Sequence, residues 1–504
     1  MIVTNRKCLV IGAGSAGLAA VREALHAGLD PIAYEARSGC GGAWRYDPDP
    51  GECTVEFDAR GWATFASRGE SDFEGPVPPS PMYESLKTNV PTSLMQYRGT
   101  PFSLETPLFS SHDQVQRYLA SYARPLSPYI RYNHRVTRLR HTVASDRGDQ
   151  RRWFAEISPV DGSQTIREHF DCVMIANGHY SKPYVPWTQG LATWTGDLLH
   201  ARWYRNSKAF EDKTVLVVGN SASGYDITRE LAMSIHSRRT SDPLAPHLPR
   251  VYQSARSPSN LGIPFDAPDA PDWAKEIDVV KPIHKVEGRS ITLEDGRKVD
   301  DIDVIIFATG YYFSFPFLRS TDSPWSAHPV VRPPPTPTES SSPPSQSQST
   351  SPVDGGLRLH HLDDRMLFYL PDPTVAFLCL PYLVIPFPLA QLQARLASLH
   401  FADSPQLPRP LTFVAGTAED EPETRQPVVV GHPLQYDLMD RMMEESGDVE
   451  PEPETNGLGG ADLNGDGDEK GGLTGERSVY GKTSQAERDL RKGAKALRRA
   501  VLGY

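Results

Sequence analysis

The sequence predicts an α/β protein: two Rossmann-like dinucleotide-binding domains, the second inserted into a discontinuous first. Three observations carry this expectation. Glycine-rich loops occur twice, at Val10-Ile11-Gly12-Ala13-Gly14-Ser15-Ala16-Gly17 and at Val217-Val218-Gly219-Asn220-Ser221-Ala222-Ser223-Gly224. Each follows a β-branched apolar run (Cys8 to Ile11; Val215 to Val218) and precedes a helix-like stretch, the context that gives GxGxxG spacing its meaning. A strand running into a turn also occurs twice, from Asp171 to His179 and from Asp303 to Tyr311. Strands so uniformly apolar suit a parallel sheet covered on both faces.

In the first loop Gly12 permits the tight turn off the strand. Gly14 lets backbone N–H groups approach a pyrophosphate, and Gly17 allows the next helix to pack closely; that helix's N-terminal dipole favours the anion. Ala19, Ala20, Ala24 and Leu25 supply the helix's apolar face, and Gly28 ends it. The strand Pro31-Ile32-Ala33-Tyr34 then delivers Glu35, an acid placed to accept a ribose 2′-OH and repel a 2′-phosphate. This module is expected to hold FAD, or NAD, and not NADP, with Gly12, Ala13, Gly14, Ser15, Ala16, Gly17 and Glu35 around it.

The second loop carries Ser221 at the middle glycine position, a residue small enough for backbone approach and able to bond a phosphate itself. Its helix offers Tyr225, Ile227, Leu231 and Ala232, and the strand Val251-Tyr252-Gln253 runs into Ser254-Ala255-Arg256. A hydroxyl and a guanidinium replace the acid of the first module, the pair suited to a 2′-phosphate. NADPH is therefore expected at Gly219, Asn220, Ser221, Ala222, Ser223, Gly224, Ser254 and Arg256, although an arginine in a loop is also ordinary surface charge.

At 504 residues the chain can form two or three domains with large cores. Hydrophobic residues make up 38% and prolines number 46, deviations that trace to polar inserts rather than a poor core. The net charge of −11 argues against nucleic-acid binding. Much of it lies in two acidic tracts, Ala418 to Glu423 and Glu444 to Glu469. Five scattered cysteines (Cys8, Cys40, Cys53, Cys172, Cys379) fit a reducing compartment, with no CxxC for redox relay or zinc. No cluster of His, Cys and carboxylates has metal spacing. No signal-type segment opens the chain, and the longest apolar run, Val375 to Ala390, is broken by Pro381, Pro386 and Pro388. A cytoplasmic protein with no integral membrane segment is expected.

The expected domain map assigns 1–180 to the first part of the FAD-binding domain and 181–302 to the NADPH-binding domain. The FAD-binding domain resumes at 303–322 and 357–443. A Pro/Ser-rich insert at 323–356 and an acidic Gly-rich insert at 444–481 are expected to be disordered. Within the latter, Asp462 to Asp468 imitates an EF-hand start, but its twelfth position is Leu473, not glutamate. The end, 482–504, reads as a basic amphipathic helix packing through Leu490, Ala494, Leu497 and Val501, with a membrane-surface role as the alternative.

Four further motifs resemble the flavin-containing monooxygenase family in its soluble fungal or microbial form. The stretch from Trp194 to Tyr204, with Gly196 and His200, is similar to the family's FxGxxxHxxx(Y/F) linker, Trp standing for the leading Phe. Tyr83-Glu84-Ser85-Leu86-Lys87-Thr88-Asn89-Val90-Pro91, with Met95 after it, resembles its LxTNxP segment, and Ala308-Thr309-Gly310-Tyr311 its ATGY element. Ile385-Pro386-Phe387-Pro388, with Gln391 and Gln393, resembles its C-terminal flavin-side segment. The likeness covers roughly 5–320 and 357–440.

The resemblance implies an NADPH-dependent flavin monooxygenase with N,N-dimethylaniline monooxygenase-like activity. NADPH reduces FAD, and O2 gives a C4a-hydroperoxyflavin that oxygenates a nucleophilic N or S of a small molecule. NADP+ stays bound and shields that intermediate, which needs a dry niche. Asn89 is then the catalytic residue, donating to the oxygenated flavin and to NADP+; an amide is both donor and acceptor with no titratable proton. Composition alone favours reading Asn89 as a turn residue before Val90-Pro91, and the full context from Leu86 to Pro91 reverses that preference. Thr88, Gly42 and Trp44 join the flavin contacts by the same likeness, although Gly41-Gly42 with Trp44 would also mark a loop with a core anchor. His200 and Tyr204 are expected to organise the linker, and His179 to be a structural or loop histidine. Family members often dimerise. Two alternatives remain open: a Baeyer–Villiger monooxygenase acting on ketones, whose linker usually ends in Trp where this chain has Tyr204, and a catalytically silent flavoprotein scaffold.

Overall fold

The computed structural model describes residues 5–70, 77–143, 151–242, 248–259, 262–333, 355–416, 430–448 and 480–503. Its first sheet is parallel throughout, ordered Val375–Phe377, Cys172–Ile175, Lys7–Ile11, Asp30–Glu35, Ile130–Tyr132. Alternation along the central strand decides its two layers, because successive side chains leave opposite faces. Cys8 and Val10 join a core with the helices Ser15–His26, His112–Ala123 and Pro386–Phe401. Leu9 and Ile11 join a second core with Val136, Leu139, Trp153 and Phe170 of an antiparallel three-stranded sheet. Ala16, Ala19, Ala20 and Ala24 give the first helix a small-residue face, and Pro386–Phe401 packs in the same core.

The second sheet is also parallel, ordered Asp197–His200, Val304–Phe307, Val215–Val218, Val251–Ser254, Ile277–Val280. It sits in the chain between Cys172–Ile175 and Val375–Phe377, two neighbours of the first sheet, so the second module interrupts the first. One boundary of the expected map is corrected here. Val304–Phe307, assigned by sequence to the FAD-binding domain, pairs Val215 with Val304 and Val218 with Phe307 inside the second sheet. The repeated strand-into-turn theme explains this: each copy closes under the glycine turn of its own module. The chain's passages between modules pair with each other, Lys182–Pro183 antiparallel to Tyr311–Tyr312.

The inserts begin and end inside the packed body. Trp325, placed by sequence in a disordered insert, is 2% exposed, stacks on Trp153 at 5.6 Å and donates its indole N–H to the Leu139 carbonyl at 2.7 Å. A large apolar surface with a satisfied N–H outweighs the Pro/Ser-rich surroundings. Likewise Asp448 pairs with Arg395, and Tyr480 is buried. Residues 334–354 and 449–479, including the EF-hand-like stretch, lie outside the described residues, as does the tract from Ala418 to Glu423.

The final helix forms over Gln485–Leu502, opened by a capping box of Ser484 and Glu487. Ala494 is buried as expected and Leu490 packs on the core, but Val501 is exposed at 53%. The basic residues divide: Arg498 is buried and Arg488 and Arg499 turn to acidic partners on the body, whereas Lys492 and Lys495 are exposed.

Candidate active site

The two glycine loops have the same build. Gly12 has φ +99° and Gly219 φ +104°, a region that favours glycine. A Cβ on Gly12 would lie 2.7 Å from the Ala176 carbonyl oxygen, and one on Gly219 would lie 2.6 Å from that of Ala308. Ala176 and Ala308 occupy equivalent places at the ends of the two strand-into-turn repeats.

Both helices that follow start bare. Neither Gly14 nor Ser221 caps its helix with a side chain, and neither first turn carries an acid. The helices His112–Ala123 and Gln485–Leu502, by contrast, have full capping boxes and acids in their first turns. Uncapped N–H groups and a positive dipole end leave the loop helices ready for an anion. The residues of each loop therefore fit a dinucleotide's pyrophosphate.

In the first cradle Glu35 is buried, and its carboxylate accepts the N–H of Ala13 at 2.7 Å and of Arg37 at 2.8 Å. Burial raises its pKa while these N–H groups oppose the rise. Ala13 thus spends its N–H on Glu35, leaving Ser15, Ala16 and Gly17 at the helix start. Two accepted bonds still leave lone pairs on the Glu35 oxygens for a ribose hydroxyl. Gly42 closes the cradle from above: a Cβ there would lie 2.9 Å from the Gly14 Cα. Trp44 lies edge-on to Phe387 at 6.1 Å, which joins the Gly41-Gly42 turn to the start of Pro386–Phe401.

The second cradle differs where the sequence does. Ser221 is exposed with φ −79°, the same backbone region as Gly14 at φ −70°, so the serine side chain is accommodated without strain. Beside it lies a cavity of about 150 Å³ lined by Asn220, Tyr225, Arg256, Ser257, Phe265 and Lys281. Ser254, expected at the phosphate, does not line it. It is 3% exposed, its hydroxyl donates to the Lys281 carbonyl at 3.3 Å, and its own carbonyl accepts the Gly219 N–H at 2.9 Å. Lys281 was not singled out from sequence. Its signal was the register: the neighbouring strand ends with Val280 opposite Ser254, so Lys281 emerges level with Ala255-Arg256.

The Asn89 segment bridges the modules. Tyr83 donates its hydroxyl to Asp226 at 2.6 Å and Ser85 to Glu230 at 2.7 Å, both on the helix Ala222–Ser241. At its other end Thr88 is buried, exchanging backbone and hydroxyl bonds with Ser110 at 2.9 and 3.1 Å. Thr88 is therefore an anchor, and Asn89 beside it is exposed with no side-chain partner among the described residues.

The linker is rigidly held. His200 is fully buried, with Nε2 at 3.0 Å from the Gly310 carbonyl and Nδ1 accepting the Arg202 N–H at 3.2 Å; burial lowers its pKa to about 3. Arg202 is 0% exposed and pairs with Glu70 at 3.0 Å, and Arg205 donates to the carbonyls of Asp47, Ser80, Arg202 and Tyr204. Tyr204 is fully buried against Tyr83 and Phe210. His179 is 6% exposed among Tyr180, Tyr382 and Phe313, with neither nitrogen hydrogen-bonded among the described residues. Among the described residues no group of His, Cys, Asp and Glu could hold a metal, and no helix is long and apolar enough to cross a membrane.

A flavin-binding monooxygenase-like family model matches residues 74–241 and 273–325, and an NAD(P)-binding Rossmann-like domain matches residues 10–71. The thiol-specific monooxygenase of Saccharomyces cerevisiae is 31% identical over 426 residues, covering 82% of this chain and 81% of its own length. The flavin-containing monooxygenase FMO GS-OX-like 2 of Arabidopsis thaliana is 28% identical over 78% of this chain and 73% of its own. The structure of S-allyl-L-cysteine S-oxygenase from Allium sativum superposes with a TM-score of 0.66 at 22% identity, covering 98% of this chain and 93% of that one. Paired dinucleotide cradles on two parallel sheets are thus those of a flavin-dependent oxidoreductase. The chain belongs to the flavin-containing monooxygenase family, and FAD and NADPH are its cofactors.

Proposed function

We propose that FAD lies along the first cradle, with its pyrophosphate at Ser15, Ala16 and Gly17 and its ribose at Glu35. NADPH lies along the second, with its 2′-phosphate between Arg256 and Lys281. Two cations and the Asn220 amide against the single carboxylate of Asp266 leave the cavity lining net positive, which suits an anion. The chain transfers one atom of O2 to a nucleophilic sulfur or nitrogen of a small molecule. The other atom leaves as water with two electrons from NADPH and a proton.

Bound flavin supplies the hydride acceptor and the oxygen chemistry. The residues bind, orient and exclude water. Asn89 offers an amide N–H and C=O at the module boundary with no proton to lose, so it would orient bound flavin and the nicotinamide carboxamide by donating to one and accepting from the other. The observation that carries this reading is the bridging of its segment, fixed to Ser110 at one end and to Asp226 and Glu230 at the other. Sulfur is the preferred acceptor, supported by the thiol-specific and S-oxygenase names of two similar proteins.

The test is to follow NADPH consumption and peroxide release across thiols, thioethers, tertiary amines and ketones. Coupled turnover with sulfur compounds supports the reading. Coupling only with ketones, or none with any class, sinks it. Asn89→Ala is expected to keep NADPH oxidation but release its electrons as hydrogen peroxide.

A further inference from the structure

The helix Gln485–Leu502 lies outside the residues matched by either family model, yet it is tied to both modules. Tyr480, just before it, donates to the buried Glu23 of the helix Ser15–His26. Arg488 reaches Asp437 at 2.9 Å and Asp440 at 2.5 Å on the helix Leu434–Glu445, whose core is that of the first module. Ten residues on, the second module takes over: Arg498 reaches Asp226 at 3.5 Å with both side chains buried, and Arg499 reaches Asp269 at 3.0 Å.

Asp226 is the point where these ties meet the site. It is 3% exposed and is approached by the Tyr83 hydroxyl at 2.6 Å, Arg229 at 3.7 Å and Arg498 at 3.5 Å. Burial and the adjacent carboxylate hold the Tyr83 phenol well above its ordinary range, so it donates and stays neutral. A carboxylate this buried is costly unless hydrogen-bond and ion partners surround it. Without Arg498, Arg229 at 3.7 Å is the ion partner that remains among the described residues, and Asp226 gains by turning toward water and away from Tyr83. The far end of the Asn89 segment is fixed by Ser110, and its near end is held to the helix Ala222–Ser241 by Tyr83 on Asp226 and by Ser85 on Glu230, so the Tyr83 tie is one of the two that set its path.

We propose that Arg498 is a positioning residue for oxygenation: through Asp226 and Tyr83 it holds the Asn89 segment against the second module. This rests on the reading of Asn89 given above. The C-terminal helix is then part of the reaction centre's framework, without touching substrate or cofactor.

The experiment uses the full chain and compares Arg498→Met, Arg498→Lys, Tyr83→Phe and the double variant Tyr83→Phe/Arg498→Met. The readouts are bound FAD, melting temperature, and hydrogen peroxide released per NADPH consumed with 2-mercaptoethanol and with thioanisole. Arg498→Met and Tyr83→Phe are each expected to raise the peroxide fraction several-fold while retaining FAD. Arg498→Lys should return toward the parent value, and the double variant should be no leakier than the worse single one, because both act through one carboxylate. Parental leakage in Arg498→Met, leakage in Arg498→Lys equal to Arg498→Met, or additive leakage in the double variant overturns the proposal. If Arg498→Met does not fold, Tyr83→Phe decides alone, since it removes only a hydroxyl; parental leakage there is equally fatal. Asn89→Ala run alongside separates the levels. Leakage in Asn89→Ala with none in Arg498→Met removes the proposal and leaves the reading of Asn89 standing. A silent Asn89→Ala removes both.

Discussion

A Cβ added to Gly17 would stand 1.9 Å from the carbonyl oxygen of Gly12, and one added to Gly224 would stand 2.0 Å from that of Gly219. In each module the helix meets its own strand at backbone distance, so the third glycine of the loop is a packing requirement before it is a binding one.

The two positions should separate the cofactors. Gly17→Ala is expected to abolish flavin binding, giving colourless or unfolded protein. Gly224→Ala is expected to remain yellow while its NADPH affinity falls by at least about tenfold, because the helix must draw back from its strand and carry the phosphate-facing N–H groups with it. Flavin absorbance and NADPH titration check this; a colourless Gly224→Ala protein with normal NADPH affinity would reverse the assignment of modules.

Arg256 and Lys281 should act on the 2′-phosphate alone. Each alanine variant is expected to raise the KM for NADPH by about tenfold to a hundredfold, the range for a lost hydrogen bond to a charged group. The KM for NADH should stay unchanged. Equal increases for both nucleotides would place these cations elsewhere on the dinucleotide.

Much of this site was legible because backbone constraints write themselves into sequence. Gly12, Gly17, Gly219 and Gly224 must be glycine, and the apolar runs beside them must be strands. Long-range partners leave no such trace. Nothing local in Ser254 tells that its hydroxyl turns inward, or that Lys281 arrives beside Arg256 from the next strand. Val304–Phe307 was assigned to the wrong sheet for the same reason: its composition matches Cys172–Ile175, and only pairing distinguishes them. Trp325 was lost among prolines and serines because composition averages over the one side chain that decides the packing.

Trp325 should therefore behave as a core residue. Trp325→Ala is expected to cost about 3–5 kcal/mol, the range for a buried aromatic, and to lower Tm by several degrees. An unchanged Tm would return this stretch to the insert.

Acid should destabilise the protein through its buried imidazoles. Burial lowers the His179 pKa to about 4, against about 6.5 in an unfolded chain. Between these values the unfolded state binds more protons, so stability falls as pH drops from about 6.5 to about 4, by on the order of 3 kcal/mol for this group. His200 acts in the same direction. His179→Phe cannot take up that proton, so its Tm should fall less steeply over this window. A parallel Tm–pH curve would mean that His179 is charged, or solvated, in the folded state.

The interruption of one sheet by the other has a consequence for synthesis. The edge of Cys172–Ile175 that receives Val375–Phe377 stays unpaired until the whole second module has left the ribosome. The second sheet, by contrast, can close as soon as Val304–Phe307 emerges between its neighbours. The N-terminal module is thus begun first and finished last, carrying an open strand edge that can pair wrongly during translation. Slow completion of the first sheet, rather than weakness of the finished core, is where expression of this protein is most exposed to aggregation.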